Sequence, residues 1–118
     1  GEGLVPIIES GNLSDAIPLL ERYLLPMVEA GIDNIVLGCS HYPFLIEQIK
    51  NIVPSTTTII DSGAAVAKQT KNMLEIHNLR SKNPDRQTQF YTNADVEILN
   101  FFLRQMSVTS FKSSYLKF

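Results

Sequence analysis

Apolar positions along this chain change their period several times, and each change marks an element. Ile17, Leu20, Leu24 and Val28 recur at three- and four-residue intervals, the spacing of one helix face. That predicts a helix over residues 15–30. Ser14 is placed to accept from its first-turn amides, and Gly31 can supply a left-handed stop. Pro18 lies in or near the first turn and is tolerated, whereas Pro26 removes an interior hydrogen bond and predicts a kink or a division. Before this helix, LVPII (4–8) is a short apolar run ahead of Glu9, Ser10 and Gly11, and reads as a strand end or loop.

Further on, Ile35, Val36 and Leu37 form an unbroken apolar triplet, which predicts a strand over 34–39 covered on both faces, as in parallel sheets. Pro43 suits the first position of a helix over 43–53 with Leu45, Ile49 and Ile52 on its apolar face, and Pro54 ends it. Residues 56–60 are β-branched throughout and predict another strand, broken at Asp61, Ser62 and Gly63. A helix over 64–80 follows, with Val66, Ala67, Thr70, Met73, Leu74 and His77 on one broad side. SKNPDR (81–86) reads as a polar loop and QTQFYT (87–92) as a strand. Val96, Leu99, Phe102, Leu103 and Met106 mark a last amphipathic helix, and the loosely alternating tail SVTSFKSSYLKF a short edge strand. Helices alternating with strands place the chain in the α/β class.

The length, 118 residues, suits one small domain burying roughly two thirds of its unfolded surface. Composition is that of an ordinary globular protein, 44% hydrophobic and 19% charged. No apolar run approaches the roughly 20 residues of a membrane span, and nothing resembles a signal peptide, so no membrane association is expected. A single cysteine leaves no internal disulfide and fits a reducing, cytoplasmic setting. The net charge of −2 does not indicate a nucleic-acid surface. The charge is uneven, however: residues 1–61 carry eight acids and two bases, residues 62–118 four acids and eight bases. Such a break suggests two structural units. The chain opens GEGLVPII without an initiator methionine and reads as a piece of something longer.

The one cysteine, Cys39, stands in VLGCSHYPFL (36–45), where a strand turns into a helix. In open parallel sheets ligands bind beyond such strand ends. Gly38 permits a tight turn or a close approach. The free amides of the following helix favour negative charge, and His41 can stabilise a thiolate or act as its base. A free thiol is only about a few per cent ionised at neutral pH, so such help matters.

A lone cysteine after an apolar strand is often a small packing residue, but a histidine two residues away at a turn favours chemistry. Zinc needs three or four ligands, and the chain holds one other histidine and no other thiol, so no metal is expected. Gly38-Cys39-Ser40-His41-Tyr42 parallels the G-x-S-x-G elbow, but a tyrosine replaces the small last residue that this tight turn needs. His77 reads as a partly buried packing residue, Asp61 and Ser62 as caps of the next helix, and Glu9 as either a solvated loop acid or a partner of Cys39.

GIDNIVLGCSHYPFL closely resembles the glutamate racemase motif G-x-D-x-[IV]-V-L-G-C-T-H-Y-P-x-L. VPIIESG, YLLPMVEAG, IIDSGAAVA and QFYTNADVE resemble further segments of that family, so the likeness runs from Val5 to about Phe102. It implies part of a two-domain, pseudo-symmetric racemase fold with parallel sheets flanked by helices and glutamate bound in the cleft between the domains. It further implies no cofactor and a dimer as the full-length enzyme. Two cysteines, one from each domain, exchange the α-proton on opposite faces. Cys39 matches the second of them, with His41 supporting its protonation state and Glu9 assisting in the same half-site.

Ser40 stands where the family has threonine, keeping the hydroxyl and losing a methyl; Ser40 and His41 are the expected substrate contacts. The first cysteine, normally in an Asn-Thr-Ala context, belongs to an N-terminal half that this sequence does not contain. The expectation is therefore a C-terminal fragment of a glutamate racemase, inactive alone. Residues 1–60 would be the latter part of the second domain and 61–118 a segment returning to the first. The alternatives are an amino-acid-binding module of the same fold, or an aspartate racemase; the His-Tyr-Pro after the cysteine argues against the latter.

Overall fold

A computed structural model describes residues 1–81 and 87–118. The chain divides into two compact units, Gly1–Met73 and Leu74–Phe118.

The first unit opens with a helix where a strand end or loop was expected: α1, Leu4–Glu9. Five apolar residues are too few for periodicity to separate strand from helix. Leu4 and Ile8, four apart, are the two buried positions, and that spacing is helical. Pro6 falls in the first turn, where its missing N–H leaves no bond unmade. The next helix also starts differently. Leu13–Ala16 forms a 3-10 turn, and α2 runs Ile17–Glu29 with Pro18 in its first turn.

Ser14 lies inside the 3-10 turn and does not cap; its hydroxyl donates to Asn12 Oδ1 at 2.8 Å. Ala16, Leu20 and Leu24 form the buried stripe, while Ile17 is exposed and Val28 half-buried. Pro26 does not divide α2, which continues to Glu29. Gly31 has φ +80 and ends the helix in the left-handed region, as expected.

Strand β1 (Asn34–Val36) is shorter than predicted and pairs in parallel with β2 (Thr58–Ile60), in the register Ile35 to Ile59. The expected cover on both faces is absent: Val36 is 72% exposed and Ile60 43%. Between the strands, a 3-10 turn Tyr42–Leu45 leads into α3 (Ile46–Ile52). Leu45, Ile49 and Val53 are buried, and Val53 turns extended ahead of Pro54. The core of this unit gathers Leu4, Ile8, Ala16, Leu20, Leu24, Leu37, Leu45, Ile49 and Val53 between the helices and the sheet.

Asp61 Oδ1 accepts from the Gly63 amide at 2.7 Å, the capping role expected of it, and α4 follows over Gly63–Ile76. No residue of α4 is buried. The helix stops earlier than predicted because Asn78 adopts φ 55, letting the Leu79 amide reach the Leu74 carbonyl at 2.8 Å. His77 therefore lies in that turn and is exposed, not a packing residue on a helix face.

In the second unit, β3 (Thr88–Thr92) and β4 (Phe111–Tyr115) pair in parallel, joined through α5 (Val96–Gln105). Asp95 caps α5 by accepting from the Glu97 amide at 2.8 Å. Leu103 is buried, and Phe90 meets Phe111 edge-on at 6.2 Å. The tail expected as an edge strand is β4. Of the polar loop predicted at 81–86, residues 82–86 lie outside the described residues. Strands paired in parallel through helical connections are the α/β architecture that the alternating pattern predicts. Among the described residues no helix is long and apolar enough to cross a membrane.

Candidate active site

After β1 the chain passes through buried Leu37, whose amide still donates to the Ile60 carbonyl at 2.8 Å, and reaches Gly38 and half-buried Cys39. Gly38 is not in the left-handed region, and a Cβ built there meets nothing within 4 Å. Neither a positive φ nor a close approach therefore requires the glycine here.

The turn closes through two amide bonds, Tyr42 to the Cys39 carbonyl at 3.2 Å and Phe44 to the His41 carbonyl at 3.1 Å. Because Tyr42–Leu45 is a 3-10 turn and α-helical geometry starts only at Ile46, Cys39 does not sit at the head of a regular α-helix. The contact made by the thiol is with His41: Cys39 Sγ lies 4.0 Å from His41 Nδ1. Ser40 Oγ lies 3.4 Å from the same nitrogen.

The other ring nitrogen meets an acid from far along the chain. His41 Nε2 lies 3.1 Å from Glu9 Oε1, across 32 residues. Glu9 is the last residue of α1, so the helix that the sequence pattern missed carries the acid to the turn. A carboxylate only accepts, so Nε2 keeps its proton. In the neutral ring Nδ1 is then an acceptor facing the thiol and the Ser40 hydroxyl. The line Glu9, His41, Cys39 can therefore take a proton from the thiol or return one. The His41 and Glu9 side chains are 28% and 44% exposed, so water reaches the pair.

The four residues expected at the site, Glu9, Cys39, Ser40 and His41, come together in the first unit. Asp61 is used as a cap, and His77 takes no part. Among the described residues, no group of three or more His, Cys, Asp or Glu is placed to hold a metal ion.

No protein-family model matches the chain. A glutamate racemase from Pseudomonas putida is 42% identical over 103 residues, covering 86% of this chain and 39% of that protein. Another from Pseudomonas syringae pv. tomato is 44% identical over 119 residues, covering 93% of this chain and 42% of that protein. This chain is homologous to the C-terminal part of glutamate racemases. It spans about two fifths of the length of the curated relatives it matches. In fold it also matches a glutamate racemase from Francisella tularensis solved in complex with D-glutamate. That match has a TM-score of 0.77 at 21% identity, over 97% of this chain and 44% of that one. Glutamate racemases are thus similar to this chain in sequence and in fold over part of their length.

Proposed function

We propose that the chain is the C-terminal portion of a glutamate racemase and contributes one of the two half-sites that interconvert L- and D-glutamate. The observation that carries this reading is the line from Glu9 Oε1 through His41 to the Cys39 thiol, at 3.1 and 4.0 Å, in a chain homologous to these enzymes. Toward one enantiomer the Cys39 thiolate accepts the α-proton, and the electron pair remains on the substrate as a carbanion delocalised into its carboxylate. A second thiol, supplied by the N-terminal half, then protonates the opposite face. In the reverse direction Cys39 is the acid. His41, held by Glu9, sets which state Cys39 occupies, and Ser40 and His41 contact the substrate's polar groups.

The reaction needs no cofactor. On this reading residues 1–60 complete the second domain and 61–118 return to the first, the whole enzyme is a cytoplasmic homodimer, and its D-glutamate serves peptidoglycan synthesis and so cell shape. The exposed outer faces of β1 and α4 fit a chain that is completed by further structure.

The test follows the glutamate α-proton signal in heavy water, with the 118-residue chain beside the longer protein that contains it. Exchange by the long form and none by the short one is expected, because one thiol cannot serve both faces. Cys39→Ala in the long form should abolish interconversion; retention of more than about a few per cent would remove Cys39 from the acid–base role. No exchange by the long form would turn the reading to a binding module or another amino acid.

A further inference from the structure

Two adjacent residues of the turn after Cys39 hold α1 at its last residue and at the turn that leads into it. His41 meets Glu9 at the C-terminal end. Tyr42 reaches the turn ahead of the helix, its hydroxyl donating to the Gly1 carbonyl at 3.2 Å. The same carbonyl accepts from the Leu4 amide at 3.4 Å, which closes the turn leading into the helix. No side chain caps this end of α1, and the residue before it, Gly3, has φ +85. A second tyrosine, Tyr23 of α2, donates to the neighbouring Glu2 carbonyl at 2.9 Å. The fit at Gly1 is close: a Cβ there would lie 1.9 Å from the Tyr42 hydroxyl oxygen. With six residues, α1 is far too short to hold itself in place, so its contacts decide where it lies.

We propose that Tyr42 is a positioning residue for the Cys39 half-site. By clamping the turn ahead of α1, it sets where Glu9, at the far end, meets His41. Through that bond it sets which ring nitrogen faces the thiol. The catalytic consequence rests on the racemase reading; the geometric claim does not.

The chain has two histidines, so the imidazole nitrogens of His41 can be followed by 15N NMR once His77 is assigned with His77→Gln. At a pH where the ring is neutral, His41 should show a protonated Nε2 and a bare Nδ1, and Glu9→Gln should blur that distinction. Tyr42→Phe should move the His41 spectrum toward that of Glu9→Gln and add little to it in the double variant. Gly1→Ala, which displaces the hydroxyl from the other side, should reproduce Tyr42→Phe.

In the longer protein, Tyr42→Phe should lower kcat about three- to tenfold, the scale of one hydrogen bond, with KM within about twofold, and have no further effect on Glu9→Gln. A His41 spectrum unmoved by Tyr42→Phe and Gly1→Ala overturns the proposal, as does a shift of full size in the Glu9→Gln background. If the longer protein exchanges no α-proton at all, the racemase reading falls, and the spectra still decide the place of Tyr42.

Discussion

Ile8→Ala joins packing to the site in one experiment. Ile8 is fully buried in α1, one residue before Glu9, with Leu4 of the same helix and Leu45 beyond α1 also in the core. Removing three carbons from such a position costs about 2–5 kcal/mol, set by how far the surroundings collapse. Here the lower half applies, about 2–3 kcal/mol, because a six-residue helix can settle toward the gap more readily than a long one. That settling would carry Glu9 away from His41, so the cavity and the lengthened Glu9–His41 hydrogen bond should appear together.

The reporter is hydrogen exchange of the Leu37 amide, bonded to the Ile60 carbonyl at 2.8 Å within the same unit. At about 1.4 kcal/mol per tenfold, exchange should quicken about 30- to 150-fold. Leu25→Ala, on the exposed side of α2, should stay within about 0.5 kcal/mol of the parent. An acceleration below about fivefold for Ile8→Ala, or one matched by Leu25→Ala, would refute the placement of α1 in the core.

Glu9→Gln should separate function from stability. With both partners partly exposed it should shift urea unfolding by less than about 1 kcal/mol, yet lower turnover of the longer protein about tenfold or more. A stability loss of several kcal/mol with unchanged turnover would make the pair structural. Gly31→Ala should cost about 1–2 kcal/mol in the same unfolding assay, from the left-handed backbone alone, since a Cβ there meets nothing within 4 Å. An unchanged midpoint would show that the turn relaxes out of φ +80.

Where periodicity ran long enough, it was a sound guide. Helix α5 and the stripe of Leu20 and Leu24 follow from their spacing, and Gly31 from the stop that α2 needs. Cys39 and His41 could be picked out as a pair because two residues at a turn are neighbours in space as well as in sequence. Short stretches were another matter. LVPII reads as a strand end or loop, and residues 15–16 as the start of one long helix, because four to six residues contain too little of either period.

By itself, the sequence determined the alternation of helix and strand, the local grouping of Cys39, Ser40 and His41, and, through its likeness to glutamate racemases, Glu9 as their companion. Only the tertiary structure decided how Glu9 arrives there: on a helix, 32 residues away, with its carboxylate on Nε2 so that Nδ1 faces the thiol. It also decided that Tyr42 reaches back to Gly1, and that Val36 and Ile60 stand open to solvent where an apolar run had implied cover. The division has a physical cause. Periodicity and turn chemistry act between residues a few positions apart and are written in their order. Pairing across a chain and the covering of a face depend on which elements meet, and that is settled only when the core closes.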